Sequence, residues 1–420
     1  MPLILNTDKL FSFLLILNVF LGGFVLFTSP FEFYLGYIFI IFFLISYVLR
    51  YHNISLNSGF LAMLITLTIL SLVNVYLEKD TLSLMIKQVL GILITGSAYY
   101  LLVKINKYEI DKLFRIYLQI ALIAALIGIF QELSFIAGFK NGYDYSYIIS
   151  KWGLTPTSFG ILRVNSIFME PTHFAISMTP ALFVSLTAIF NKNYFCLNKL
   201  SGILIITSVL LTFSTVAYIA ILISLVFIFS NIWKLKYLLI IPVFIFCAYT
   251  YIPEIRLRVT DTLNLINGSK KAVELNLSTY ALASNAFVAG KSFFDNPLFG
   301  HGLGSHPVSY NDLLRSGASG GFWRNNSVIL NREDAGSLFL RLLSETGLFG
   351  ILLVIYFIFK YRIKNTNNKT LQIISNAIFI MFTMQLLRQG HYFYNGLFFF
   401  VWLYYFAYKT NFIKQTDDPH

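Results

Sequence analysis

Twelve stretches of this chain run apolar for 14 to 22 residues, and that pattern limits the fold before any motif is read. They are residues 10–28, 31–49, 59–77, 84–103, 115–136, 172–190, 199–212, 216–231, 237–252, 345–360, 371–388 and 392–408. A helix needs about 20 mostly apolar residues to cross a hydrocarbon core roughly 30 Å thick. Residues 199–231 are apolar almost throughout, but one helix of that length would reach roughly 50 Å. Thr212-Phe213-Ser214-Thr215 is the expected break. Composition agrees, with 57% hydrophobic residues, 12% charged residues and a mean hydropathy of +0.71. A soluble domain carries about 25% charged residues. The expected fold is an all-α polytopic membrane protein of about 12 transmembrane helices. It forms a single integral membrane domain over residues 1–420, with a large, partly helical loop on the outer side.

Charge sets the expected orientation. In a twelve-span arrangement 16 Lys/Arg fall on one side against five acids, and 15 fall on the other against 14. The short loops of the second side hold only Lys79, Lys87 and Arg388. By the positive-inside rule both termini are cytoplasmic. The net charge of +12 is then a topological signal and gives no reason to invoke nucleic acid. The first apolar stretch lacks a small-residue cleavage site and reads as an uncleaved anchor. Cys196 and Cys247 fall on the cytoplasmic side and in a span, a placement that suggests neither a disulfide nor a metal site.

Two polar segments face outward, residues 138–171 and residues 253–344 between spans nine and ten. The second is too long for a connector, since loops beyond about 12–15 residues usually carry function or disorder. ATP and nucleotide sugars are absent on that side. Energy for chemistry there must arrive in the substrate, which favours an activated lipid-linked donor or a transported solute. Transporters usually place ionisable groups and discontinuous helices near the bilayer midplane. Neither is expected here.

Five clusters are candidates for chemistry. Arg163 and Glu170-Pro171-Thr172-His173 combine a helix start with a carboxylate. Pro171 fits a first turn and Glu170 suits a positive helix N-terminus; the same carboxylate could accept a proton from a sugar hydroxyl, with His173 beside it. Arg256 and Arg258 follow the ninth span. They suit lipid headgroups, and they equally suit a diphosphate, because guanidinium forks match phosphate oxygens. Tyr280, Ala283, Phe287 and Phe294 recur at helical spacing and predict an amphipathic helix on the bundle, stopped by Asp295-Asn296-Pro297. Gly300, Gly302 and Gly304 then allow a tight turn carrying His301 and His306, which read as surface histidines. Arg332-Glu333-Asp334 reads as a solvated face, followed by Arg341 and the glycines Gly347 and Gly350, whose helix could approach a neighbour closely. Arg388-Gln389-Gly390-His391 closes a short outer hairpin. No His/Asp/Glu cluster has metal-ligand spacing, so no metal or other cofactor is expected.

At four places the chain resembles the O-antigen polymerase and ligase superfamily. Met169-Glu170-Pro171-Thr172-His173-Phe174-Ala175 is similar to the segment that opens a span in Wzy-type polymerases. Leu211-Thr212-Phe213-Ser214 is similar to a break between two central spans. Asn296-Pro297-Leu298-Phe299-Gly300-His301-Gly302-Leu303-Gly304 and Leu343-Ser344-Glu345-Thr346-Gly347-Leu348-Phe349-Gly350 are similar to its turn and its C-terminal helix. The matches span residues 169–350; the first five spans contribute only hydropathy. Thr215 stands where the superfamily commonly has arginine, and no arginine begins the helix near Ser278-Thr279. A histidine-led motif usual in ligases is missing near Gly336-Ser337, which favours the polymerase branch.

The resemblance implies a glycosyltransferase of the bacterial inner membrane. It would polymerise undecaprenyl-diphosphate-linked oligosaccharide repeat units on the periplasmic side, in lipopolysaccharide O-antigen biosynthesis. Its partners would be the lipid-linked donor and acceptor, membrane lipids and a chain-length regulator protein. Glu170, Asp334 and His173 are the candidate catalytic residues. Arg163, Arg256, Arg258, Arg341 and Arg388 are the candidates for the diphosphate. The alternatives are an O-antigen ligase, a capsule or exopolysaccharide polymerase, and a lipid-linked oligosaccharide flippase.

Overall fold

The structure is a computed structural model that describes residues 7–29, 31–52, 54–155, 157–158, 160–191, 197–229, 249–271, 274–315, 329–364, 366–393 and 396–416, with 242 and 246 singly. Most of the expected span 237–252, the basic residues Lys192, Lys234 and Lys236, and both cysteines lie outside the described residues.

Among the described residues the fold is helical apart from one two-stranded hairpin. In chain order the elements begin with α1 (Thr7–Leu17), β1 (Val25–Phe27), β2 (Phe33–Tyr34), α2 (Leu35–Tyr51), α3 (Ser58–Tyr76), α4 (Leu82–Ile105), α5 (Ile110–Ile136) and the short α6 (Lys140–Tyr143). Then come α7 (Pro171–Asn191), α8 (Lys199–Leu210), α9 (Thr215–Ile228), α10 (Pro253–Ile266), α11 (Leu277–Asp295) and the short α12 (His306–Tyr310). The chain closes with α13 (Leu338–Lys360), α14 (Lys369–Leu387) and α15 (Leu397–Thr416).

Among the described residues six helices, not twelve, are long and apolar enough to cross a membrane: α3, α4, α5, α7, α13 and α14. The reason is geometric. Hydropathy marks apolar stretches but does not see where a helix stops. Helices α8 and α9 have 12 and 14 residues, which gives roughly 18 and 21 Å each. The first expected span, residues 10–28, is helical only as far as Phe20. There Gly22 and Gly23 open a turn, and Val25–Phe27 pairs with Phe33–Tyr34 as a hairpin. A Cβ on Gly23 would lie 2.7 Å from Ile149 and 3.3 Å from the Ile167 carbonyl, so the chain must pass here without a side chain. Helix α13 begins at Leu338, seven residues before the expected start of its span.

Helix α7 is the hub. Of its apolar window 83% is buried, against 22% for α3, which therefore lies at the rim. A helix apolar on all faces belongs in a bundle centre. Helix α8 packs antiparallel to α7, with Gly202 against Ser185. Helix α9 runs parallel to α7: Thr172 meets Ser214 at one end, and Phe190 meets Phe229 at the other, with ring centroids 5.1 Å apart. The turn between α8 and α9 falls at the expected Thr212–Thr215 break, where Phe213 takes a positive φ of 46°.

Basic residues gather at one end of the bundle. There Arg50 pairs with Asp8 at 2.5 Å, and the Arg362 guanidinium lies 4.5 Å over Phe227 and 4.7 Å over Phe379. The described parts of loops 138–170 and 253–337 gather at the opposite end, called here the loop end, through their contacts with the starts of α7 and α9.

Candidate functional site

Buried amides at the end of α5 fix the loop that leads into α7. The Gln131 Oε1 accepts from the Asn165 and Ser166 N–H groups at 3.3 and 2.9 Å, and Gln131 Nε2 donates to Asn165 Oδ1 at 3.0 Å. Glu132 accepts from the Leu162 N–H at 3.4 Å. Ser166 takes a φ of 51°, which turns the chain back toward α7. Glu170 then stands exposed immediately before Pro171, the first residue of α7.

Three helix N-termini meet beside it, those of α7, α9 and α11. Ser214 Oγ lies 3.5 Å from Thr172 Oγ1. Arg258, from α10, donates to Thr215 Oγ1 at 2.5 Å and to Ser278 Oγ at 3.3 Å. Arg163 donates from Nε to the Thr212 carbonyl at 3.5 Å, and the next residue, Val164, donates its N–H to Leu211 O at 3.0 Å. Four hydroxyls, two guanidinium groups and three positive helix ends thus converge. Helix N-termini favour anions, and arginine adds a fixed fork of donors. Helix α11 carries no arginine of its own at Ser278, but α10 delivers Arg258 there. Arg256 is two residues away on α10, is exposed, and is not brought into this group.

An acid–base group lies on the other flank of α7. His173 is within electrostatic reach of Glu170, Asp334, Arg388 and Lys151. Asp334 Oδ2 lies 3.7 Å from His391 Nε2, and Asp334 Oδ1 accepts from the Gly336 N–H at 3.1 Å. Burial pushes the Asp334 carboxyl up, but His391, the Gly336 N–H, Arg341 and His173 together hold it below the usual carboxylate range. Burial holds His391 below its ordinary value and so favours the neutral ring. Its side chain remains 38% exposed. Lys151 reaches this group through the hairpin: it is ion-paired with Glu32, and its N–H donates to Gly23 O at 3.1 Å.

Beneath this group, α13 is broken. Gly347 adopts φ 58° and ψ −153°, which ends regular helix. A helix would bond the Leu348 and Phe349 N–H groups to the Ser344 and Glu345 carbonyls. All four groups bond instead to the glycine-rich turn after α11. Leu348 and Phe349 donate to Pro297 O and Leu298 O at 2.9 and 3.0 Å. Ser344 O and Glu345 O accept from His301 and Gly302 N–H at 3.0 and 2.8 Å. The two glycine motifs interlock through their backbones, with no room for a Cβ at Gly300 or Gly347. The neighbour that Gly347 approaches is this turn, and the discontinuous helix that the sequence did not lead one to expect is α13.

Histidines lock the same junction. His306 is fully buried, with Nδ1 3.0 Å from Ser344 Oγ and Nε2 2.9 Å from Asn285 Oδ1. Burial, with Arg341 nearby, pushes its pKa down to about 3. His301 Nε2 lies 2.8 Å from Asp295 Oδ2, which also accepts from Lys79 at 2.5 Å. Neither is the surface histidine expected. Helix α11 covers its predicted range and buries Tyr280 of the expected stripe, with Phe287 half-buried, but Phe294 is 80% exposed and much of the buried face is small: Ala281, Ser284, Asn285, Ala289 and Ser292. Small side chains let the backbones come close.

Of the candidate residues, Glu170, Asp334 and Arg388 lie within electrostatic reach of His173, and Arg163 and Arg258 join the neighbouring group of helix N-termini. Arg341 is different. It lies wholly buried in α13, paired to Glu345 at 3.0 Å, stacked 4.4 Å from the Tyr392 ring and donating to Gly390 O at 3.1 Å. It braces the hairpin that carries Arg388 and His391 and is not open to a ligand. The sequence reading missed Lys151 and Asp80. Asp80 resembles a plain polar turn residue in Glu78-Lys79-Asp80, yet it is 5% exposed, and burial pushes its pKa up to about 7.

No protein-family model matches the chain, and no curated protein matches it.

Proposed function

We propose that this protein is an O-antigen polymerase of the Wzy type, a membrane-embedded glycosyltransferase of the bacterial inner membrane. Both termini face the cytoplasm, and the loop end faces the periplasm. The observation that carries the reading is the anion ring of Arg163, Arg258, Thr172, Ser214, Thr215 and Ser278 lying across the first turn of α7 from a carboxylate–histidine group. Glycosyl transfer from a lipid diphosphate needs those two features side by side.

In this reading the ring holds the diphosphate of the polyprenyl-linked glycan. The acceptor hydroxyl oxygen attacks the donor's anomeric carbon. The bond from that carbon to the diphosphate oxygen breaks, and polyprenyl diphosphate departs with the electron pair. Fixed cations and helix ends stabilise that developing charge. The hydroxyl proton passes to Glu170. Asp334 is the second choice, because the groups that hold it ionised also make it a weaker base. His173 and Arg388 orient these groups, and Arg341 braces the hairpin from below. A chain-length regulator is the further partner. Arg256 is left for lipid headgroups.

Deleting the gene in its own host and resolving surface glycolipids by size tests the reading. Loss of long chains with a core bearing one repeat unit supports it. Bare core alone removes it, and polymer left on the lipid carrier outside would mark a ligase. A flippase is the second reading. The break in α13, with a buried Arg341–Glu345 pair next to it, is a feature of transport proteins. Single repeats trapped on the inner side would favour it.

A further inference from the structure

We infer that the junction between the α3–α4 turn and the broken helix α13 binds one monovalent metal cation of the sodium type, held by Asp80, Glu345, Asn74 and Gln88. Gly302 marks the place. A Cβ on Gly302 would lie 3.5 Å from Asp80 Oδ2 and 3.2 Å from Asn74 Cβ, and the Gly302 N–H donates to Glu345 O at 2.8 Å. Gln88 lies one helical turn beyond Leu84, whose backbone Gly304 abuts.

Two independent observations point to a ligand. The first is unpartnered oxygen: Asp80 Oδ2, Asn74 Oδ1, Gln88 Oε1 and Glu345 Oε2 are all buried without a well-formed hydrogen bond, the Glu345 carboxylate having only the Tyr392 hydroxyl beside it. Their residues are 5%, 4%, 6% and 0% exposed. Native proteins leave few such atoms, and a group of them calls for an explanation. The second is charge. Asp80 and Glu345 bring two negative charges to the junction, and Arg341 answers one of them at 3.0 Å. Lys79, the adjacent lysine, is already paired with Asp295. Above about pH 7, where Asp80 is ionised, one buried negative charge is left over, and buried charges require a partner. Water would satisfy the oxygens but not the charge; a small cation does both. Among the described residues no three or more His, Cys, Asp or Glu side chains form a metal-binding group. Two carboxylates with two amide oxygens offer too little charge for a divalent ion beside Arg341, and enough for a monovalent one.

The inference does not rest on the glycosyltransferase reading, and its test needs no activity assay. The full chain, purified in detergent at mildly alkaline pH, is melted in rising sodium chloride and in choline chloride of equal ionic strength, which separates binding from screening. A saturable rise of a few degrees with sodium alone is expected, because a ligand of the native state raises its stability by mass action. Asp80→Asn removes the leftover charge and abolishes that rise. Equal curves in the two salts overturn the inference, and the wild-type protein alone can give that result if the variant does not fold. A midpoint that rises on acidification but ignores sodium also overturns it, since Asp80 then simply carries a proton. Asn74→Ala gives a further readout: it keeps both carboxylates, and its sodium curve moves to higher concentration.

Discussion

Glu170 immediately precedes α7 and His173 lies in its first turn, yet they differ in setting. Glu170 is exposed, and His173 is drawn into the field of Glu170, Asp334 and Arg388. Glu170→Gln keeps the shape and removes the proposed base. Chain extension should fall by at least about 100-fold with protein levels intact; normal extension in membranes carrying the variant would rule out Glu170. Arg258→Ala removes the fork that joins Thr215 to Ser278. It should raise the concentration of lipid-linked donor needed for half-maximal rate, whereas Arg256→Ala should not. Arg341 calls for a stability measurement. Arg341→Met strands the Glu345 carboxylate in the interior and should cost about 3–5 kcal/mol, read as a lower unfolding midpoint. Arg341→Met with Glu345→Met should cost less than the single change, because neither charge is then left alone.

At the scale of elements, the parts read most readily from the sequence were those signalled locally. Glu170-Pro171 marks a helix start, Thr212–Thr215 interrupts an apolar run, and Asn296-Pro297 stops α11; each signal lies within a few residues of its effect. What escaped depended on partners far along the chain. His306 reads as a surface residue until Asn285 and Ser344 are brought to its two nitrogens. Gly347 reads as a packing glycine, but its role is to let four backbone bonds cross to residues 297–302. The span count failed for a related reason: an apolar run such as residues 10–28 gives no sign that its second half will leave the helix for a hairpin. Gly347→Ala tests the break directly. A Cβ there would stand 2.7 Å from Pro297 O at a φ that side chains avoid. The cost should be at least about 2 kcal/mol, visible as a lower melting midpoint, while Gly290→Ala on α11, where nothing lies within 4 Å, should be near neutral.

For the whole molecule, the loop end should make stability depend on pH. His306 is neutral in the folded protein down to about pH 3, whereas an unfolded histidine titrates near 6.5. A depressed folded value means that the unfolded chain binds the proton first. Stability from this group is therefore full above about pH 6.5 and declines as pH falls below it. His306→Gln should lower the midpoint overall and flatten that slope; an unchanged slope would show that other groups carry it.

The exchange of backbone bonds at Gly347 also orders events during biosynthesis. Residues 297–302 are made about 45 residues before the helix they complete. They are already made when residues 344–349 of α13 emerge. Until the two meet, Leu348, Phe349, Ser344 and Glu345 have no partners for their backbone groups, and the new span cannot take its final form. A chain stalled after Lys360 should therefore hold a protease-sensitive loop end unless that turn is intact.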